Sequence, residues 1–130
     1  KKCITLKQGS ASRQDWWDGQ FFDKILCDVP CSASGIVRRH PDIVFLRRKE
    51  DIAAFVKTQR AILENAWRML KPGGSLLYVT CSVFPEEGEE QIAWFLSQHP
   101  NALRLESPGQ LLSDQDHDGF FFGLLSKNKE

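Results

Sequence analysis

One long amphipathic stretch, flanked by two short apolar runs, constrains the fold of this chain most. From residue 49 to about residue 70, apolar side chains recur at spacings of three and four, and charged side chains occupy the other side. This periodicity predicts an α-helix with one buried face. Glu50 and Asp51 suit the start of that helix, and Pro72-Gly73-Gly74 is expected to end it.

The apolar runs before and after this helix have the length of buried strands. The first covers residues 22–29 and must stop at Pro30, because proline cannot donate a hydrogen bond to a strand ladder. The second covers residues 76–80. A strand, a long helix and a second strand together predict a right-handed parallel crossover. The sequence therefore predicts an α/β fold, in which ligands would bind beyond the carboxyl ends of the strands.

Further elements are predicted outside this unit. A second helix should start at Pro85, followed by acidic residues that suit the positive end of its dipole, and should end at Pro100. The remaining predicted strands are residues 4–6, 103–105 and 120–125. Only a polar loop over residues 107–118 joins the last two, which is too short for a parallel crossover, so we expect them to be antiparallel.

Composition excludes several classes of protein. With 17 basic and 17 acidic residues the net charge is zero, so any nucleic acid would have to be bound by a local patch. We expect a soluble cytoplasmic protein that does not bind membranes, since there is no long apolar run and no signal-peptide pattern. The four cysteines have neither a Cys-x-x-Cys pair nor a ligand-like spacing to the histidines, so no metal site is expected. The thiols are then either core residues or nucleophiles.

The residues after the two predicted strands suggest a reactive site. Asp28-Val29-Pro30-Cys31-Ser32 places a carboxylate, a rigid proline and a thiol after the first strand, and Thr80-Cys81-Ser82 comes after the second. A strand-to-loop turn with a buried cysteine is the alternative interpretation of the first segment. Cys27, one residue before the carboxylate on an apolar strand, is expected to be a core residue.

These motifs, with Leu70-Lys71-Pro72-Gly73-Gly74 between them, resemble the S-adenosylmethionine-dependent RNA cytosine-C5 methyltransferases, specifically the bacterial small-subunit rRNA branch called the Sun or Fmu family. Residues 38–43 and 118–121 are also similar to that branch, and the resemblance runs from about Phe22 to the end. It implies the later half of a Rossmann-like class I methyltransferase sheet, mostly parallel with an antiparallel last strand.

The resemblance also implies what residues 1–130 lack. They would form a single partial catalytic domain without the family's N-terminal Gly-rich cofactor loop. Near Gly9 the family usually has an acidic residue that contacts the cofactor, and this chain has Ser10. We therefore expect the isolated chain to bind S-adenosyl-L-methionine weakly or not at all, and to be inactive alone.

Cytosine-C5 chemistry explains why the family needs these residue types. Carbon 5 of cytosine is a poor nucleophile, and adding a thiolate at carbon 6 pushes electron density onto it. The resemblance assigns this attack to Cys81 and the later release to Cys31. It assigns Asp28 a contact near N3 of the base, which the carboxyl would protonate if its apolar strand favours the neutral form, and it assigns Asp28 and Pro30 to cofactor binding. Because adjacent strands lie about 4.8 Å apart, both thiols can surround one base ring.

A basic segment lies after the first motif. Arg38, Arg39, His40 and Arg47 occur there with Asp42 as the only acidic residue among them. One interpretation is a patch that grips RNA phosphates, with ribosomal RNA as the implied partner, and the other is a solvated surface.

Two other functions remain alternatives at this point. One is a non-catalytic fragment that binds RNA or a partner without cofactor. The other is an amino-methyltransferase, which often carries Asn-Pro-Pro-Tyr or Asp-Pro-Pro-Tyr at the equivalent strand end, and Val29-Pro30-Cys31 argues against it.

Overall fold

A computed structural model describes residues 4–32, 49–112 and 118–129. Its elements are β1 (Phe22–Asp28), α1 (Lys49–Met69), β2 (Leu70–Thr80), a 3-10 turn (Pro85–Glu87), α2 (Glu89–Gln98), β3 (Ala102–Leu111) and β4 (Phe120–Lys127). The strands form one sheet in the order β1-β2-β4-β3. β1 and β2 are parallel, and β4 is antiparallel to both of its neighbours. The predicted α/β class, with an antiparallel last strand, is confirmed.

The long helix has the predicted extent, but the segment after it differs from the prediction. β2 begins at Leu70 directly after α1, and Pro72-Gly73-Gly74 lies within this strand rather than in a separate loop. Phe22 pairs with Leu70, and Lys24 pairs with Ser75. Residues 71–74 therefore all lie opposite the single residue Asp23. The bulge is possible because Gly73 has a φ of 87°, a left-handed conformation that glycine adopts without strain.

Two predictions about the first part of the chain are wrong. The sequence predicts a buried core strand over residues 22–29, yet β1 is an edge strand in the described sheet, with Leu26 65% exposed and Cys27 its only buried residue. Residues 4–6 form no strand, and Ile4 and Leu6 are exposed. The physical reason is the same for both: no described strand pairs with the free edge of β1 or with residues 4–6, and a strand is stable only in a ladder.

The core lies between the sheet and both helices. Trp67 of α1 packs edge to face against Phe95 of α2, with 5.0 Å between the ring centroids. Below them, strand residues Leu76, Phe121 and Leu125 are fully buried. Each large buried side chain contributes roughly 1.5–3 kcal/mol through the hydrophobic effect, so this contact fixes both helices on the sheet. Neither helix in the described ranges is long and apolar enough to cross a membrane.

The last hairpin is longer than predicted. β3 extends from Ala102 to Leu111, so the expected polar loop over residues 107–118 starts as strand, and residues 113–117 lie outside the described part. The ladder between β3 and β4 shifts register between Leu105 and Gly109, where Gly109 has a φ of 67°. This bulge allows β3 to pair with β4 beyond residue 105, where the alternation of apolar and polar side chains ends.

The turn between β2 and α2 is held closely against the sheet. A Cβ atom on Gly88 would lie 2.8 Å from the Phe121 ring, so only glycine fits there. The hydroxyl of the fully buried Tyr78 donates a hydrogen bond of 2.7 Å to the carbonyl oxygen of Glu87. Both contacts place Glu87 beside the carboxyl end of β2, where the candidate site lies.

Candidate active site

The candidate site lies at the carboxyl ends of the two parallel strands. β1 ends at Asp28 and β2 at Thr80, and the backbone N–H of Val29 still donates to the carbonyl of Val79 at 3.1 Å. The chain segments after the two strands therefore leave the same edge of the sheet side by side. As a result the Sγ atoms of Cys31 and Cys81 lie 3.3 Å apart.

Cys81 has the properties of a nucleophilic thiol. A hydrogen bond from the Cys31 thiol, together with a backbone hydrogen bond, lowers the pKa of Cys81 to about 7 from the usual 9.0. Partial burial and the negative charges of Asp28 and Glu87 oppose this shift. The net effect favours the thiolate, which is the reactive form of cysteine.

Cys27 has the opposite character. Its side chain is 8% exposed and belongs to the hydrophobic core. Burial raises the pKa of this thiol to about 11, so it is protonated at neutral pH. Cys27 is therefore a core residue, as the sequence predicts, and it is not one of the two paired thiols.

Asp28 and Pro30 lie at the entrance of the site rather than in its interior. Both are exposed, so the apolar surroundings expected around the Asp28 carboxyl are not present in the described structure. The reason is again that β1 is an edge strand. The two residues line a cavity of about 540 Å³ whose other walls include Leu26, Ile62 and Met69.

A buried glutamate joins the two cysteine segments, and the sequence did not indicate it. The Glu87 side chain is fully buried. Its Oε1 accepts hydrogen bonds from the backbone N–H of Ser32 at 2.8 Å and from Nε2 of Gln59 at 3.1 Å. Its Oε2 accepts from the Ser32 hydroxyl at 2.6 Å and from the Ser82 hydroxyl. The residues after both cysteines are therefore bonded to one carboxylate.

Two glutamines connect this carboxylate to the helices. Nε2 of Gln59 in α1 also donates to the carbonyl of Pro30 at 2.9 Å. Gln91 of α2 donates to Oε1 of Gln59 at 3.0 Å and accepts from Nε of Arg60 at 2.9 Å. Because Gln59 and Gln91 are both fully buried, the cysteine segments rest on a rigid polar layer rather than on solvent.

Helical periodicity is the signal that would have found Glu87. It lies four residues before Gln91 and five before Ile92, and both of these are buried on the inner side of α2. Extending that buried face back by one turn predicts Glu87 inside and Glu86 outside. The predicted RNA-binding residues Arg38, Arg39, His40 and Arg47 lie outside the described residues.

Comparison with known sequences identifies related proteins. The family model described as 16S rRNA methyltransferase RsmB/F matches residues 1–125. Ribosomal RNA small subunit methyltransferase B of Vibrio cholerae is 50% identical over 120 residues, which are 88% of this chain and 28% of that protein. The protein of the same name from Shewanella oneidensis is 44% identical over 137 residues, 97% of this chain and 32% of that protein. The chain thus spans about a third of the length of these relatives.

Solved structures agree with the fold. The crystal structure of NSun6 from Pyrococcus horikoshii with SFG superposes with a TM-score of 0.81 at 30% identity, covering 97% of this chain and 35% of that chain. A methyltransferase homolog protein from the same organism gives 0.68 at 32% identity, covering 83% and 40%. The predicted methyltransferase-type sheet is confirmed by these neighbours.

Proposed function

Because this chain belongs to the 16S rRNA methyltransferase RsmB/F family, we propose that it is part of the catalytic domain of an enzyme that methylates carbon 5 of a cytosine in 16S rRNA. In this proposal residues 1–130 contribute the later half of the domain, and S-adenosyl-L-methionine is the methyl donor. The observation that carries the proposal is the pair of thiols at 3.3 Å, one of which has a lowered pKa.

Cys81 is the nucleophile in this mechanism. Its thiolate attacks carbon 6 of the cytosine and forms a carbon–sulfur bond, while the electron pair of the C5–C6 double bond becomes available at carbon 5. The lowered pKa of Cys81 supports this role, because it provides thiolate at neutral pH without a separate base. S-adenosyl-L-methionine, when bound, supplies the methyl group that carbon 5 takes up.

Cys31 is the residue that permits release. After Cys81 has attacked, the Cys31 thiol loses its own proton to solvent. The resulting thiolate accepts the proton that carbon 5 still carries, the electron pair of that C–H bond re-forms the double bond, and the bond between carbon 6 and Cys81 breaks, which returns Cys81 as a thiolate. The distance of 3.3 Å between the two Sγ atoms supports this division, since both thiols reach one ring edge. Asp28, exposed at the same edge of the sheet, contacts the base near N3.

The residues present fit one side of the cofactor. The cavity beside β1 measures about 540 Å³, which is within the range of small-molecule sites, and its walls are mainly apolar. Asp28 adds a carboxylate of the sign that attracts a sulfonium cation, and Pro30 gives a rigid edge. These two residues would hold the cofactor next to the paired thiols.

Product analysis with the full-length enzyme tests the proposal. We expect 16S rRNA incubated with enzyme and S-adenosyl-L-methionine to yield 5-methylcytidine, detected by mass spectrometry of the digested nucleosides. Cys81→Ala should abolish the product, whereas Glu86→Gln, at an exposed position that does not line the cofactor cavity, should retain it. RNA binding without any methylated nucleoside would favour the non-catalytic alternative, and a methyl group on an exocyclic nitrogen would contradict the cytosine-C5 assignment.

A further inference from the structure

The buried carboxylate of Glu87 has no part in the chemistry described above, yet it contacts the segments that carry both thiols. Ser32 is the residue after Cys31 and Ser82 the residue after Cys81, and the hydroxyls of both serines donate to Oε2 of Glu87. A fully buried carboxylate is costly to desolvate unless donors surround it, and here every described contact of the carboxylate is with a donor.

We propose that Glu87 is a positioning residue that sets the distance between Cys31 and Cys81 by bonding the two cysteine segments to one carboxylate. This inference rests on the proposed function, because it assigns the glutamate a purpose in covalent catalysis. Glu87 is not among the residues that line the cavity beside β1. It acts through Ser32 and Ser82, each one residue from a thiol.

Accurate positioning has a large effect on such a reaction. A displacement of about 1 Å in a catalytic group can lower a rate by about 100-fold. Without the carboxylate, the side-chain contacts described between the two segments would be the long 3.5 Å hydrogen bond between the Ser32 and Ser82 hydroxyls and the contact of the two thiols. Gln59 reinforces this bridge, since its amide donates both to Glu87 and to the carbonyl of Pro30.

The chemistry of the donors decides which substitution removes the bridge. Both oxygens of Glu87 accept hydrogen bonds, two at Oε1 and two at Oε2. A glutamine would not break the bridge, because its NH₂ group could donate to the two serine hydroxyls, which accept as well as donate. A methionine has a similar unbranched shape and no strong acceptor, so Glu87→Met keeps the approximate size of the side chain and removes the bridge.

The pKa of the Cys81 thiol can be measured to test whether Glu87 positions the two cysteine segments. The hydrogen bond from Cys31 is the strongest influence that lowers the pKa of Cys81, while the charges of Asp28 and Glu87 raise it. If Glu87 acted only as a nearby charge, its removal would lower the pKa of Cys81. If it positions the thiols, its removal weakens the contact with Cys31 and the pKa of Cys81 rises.

The test compares Glu87→Met with Glu86→Met in the full-length enzyme. Glu86 is exposed and adjacent, so its substitution is the same chemical change outside the bridge. Two measurements need no RNA: the pH dependence of iodoacetamide alkylation at Cys81, and closure of a disulfide between Cys31 and Cys81 by diamide, which takes up the two electrons and two protons that the thiols lose. The third is the methylation rate.

For Glu87→Met we expect the alkylation midpoint to rise from about 7 towards 9.0, the value of an ordinary thiol. Disulfide closure should slow by about tenfold or more and methylation by about 100-fold, as for a displaced catalytic group. Glu86→Met should match the unsubstituted enzyme in all three measurements. An unchanged or lowered midpoint together with unchanged closure would overturn the proposal, whatever the effect on thermal stability.

A milder variant covers the case in which Glu87→Met does not fold. Ser32→Ala removes one hydroxyl donor and keeps the backbone N–H bond to Oε1. It should therefore raise the alkylation midpoint of Cys81 and slow disulfide closure, each by a smaller amount. If neither quantity changes in Ser32→Ala, the proposal is wrong. Failure of the proposed function would appear differently, as an unsubstituted enzyme that makes no 5-methylcytidine.

Discussion

The Sγ atoms of Cys31 and Cys81 lie 3.3 Å apart although 50 positions separate the two residues in the chain. The parallel crossover from β1 through α1 to β2 brings them together, because it returns the chain to the same edge of the sheet. Either thiol alone would be an ordinary cysteine at the end of a strand. In the pair, the Cys31 thiol donates a hydrogen bond that lowers the pKa of Cys81 and so makes it a better nucleophile.

Alkylation of the full-length enzyme should distinguish Cys81 from Cys27. The lowered pKa of Cys81 means that its thiolate forms as pH rises through about 7, so its reaction with iodoacetamide should reach half of its maximum rate there. Burial raises the pKa of Cys27 to about 11, so that thiol should remain unmodified across the same pH range. Peptide mass spectrometry after timed alkylation measures both residues in one sample. Equal reactivity, or a Cys81 midpoint near 9.0, would contradict the assigned contact with Cys31.

A second prediction concerns the end of α1. Nζ of Lys127 donates to the carbonyls of Trp67 and Leu70, both at 3.0 Å, and so satisfies acceptors that the helix leaves open. Lys127→Met keeps the aliphatic stem and removes the cation, which should lower the free energy of unfolding by about 1–2 kcal/mol. Denaturant titration followed by tryptophan fluorescence measures the change. The matched Lys129→Met, at an exposed position, should change it by less than about 0.5 kcal/mol, and an equal loss in both variants would show that the cap is not specific.

The basic segment leads to a third prediction. If Arg38 and Arg39 bind phosphates in the full-length enzyme, replacing both with Ala should weaken RNA binding. The slope of log affinity against log salt concentration should also become shallower, by about one unit for each lost contact. The control is Lys57→Ala with Arg68→Ala, which removes the same charge from exposed positions of α1. Filter binding at a series of salt concentrations gives the slopes. Equal slopes in the unsubstituted and Arg38/Arg39 enzymes would mean that this segment is solvated surface.

The sequence predicts those parts of the fold that local pattern determines. The periodicity over α1 indicates its bounds, and the short connection between β3 and β4 indicates their antiparallel pairing. The site is predictable as far as Cys31 and Cys81 being neighbours, since that is a consequence of the parallel crossover. Exposure of Asp28 is not predictable in this way, because an apolar run has the same appearance in an edge strand and in a central strand.

Glu87 escapes prediction for a different reason. A run of acidic residues after Pro85 suits the positive end of a helix dipole, and that interpretation accounts for the charges without requiring burial. The bonds that retain Glu87 inside the fold come from Ser32, Ser82 and Gln59, of which Ser32 and Gln59 lie 55 and 28 positions away in the chain. Helical periodicity indicates that Glu87 faces inward, but it does not indicate which distant residues hydrogen-bond to its carboxylate.

The covalent mechanism is tested most directly by a denaturing gel of two variants of the full-length enzyme, each incubated with substrate RNA and S-adenosyl-L-methionine. Cys31→Ala should attack more slowly, because the hydrogen bond that lowers the pKa of Cys81 is lost, but it should still transfer the methyl group and stall before release, so a covalent adduct with RNA should accumulate. Cys81→Ala should form no adduct, because no carbon–sulfur bond can form. Loss of fold would remove the adduct from both variants and is thereby distinguished. An adduct that appears with Cys81→Ala and is absent with Cys31→Ala would contradict the roles assigned to the two thiols.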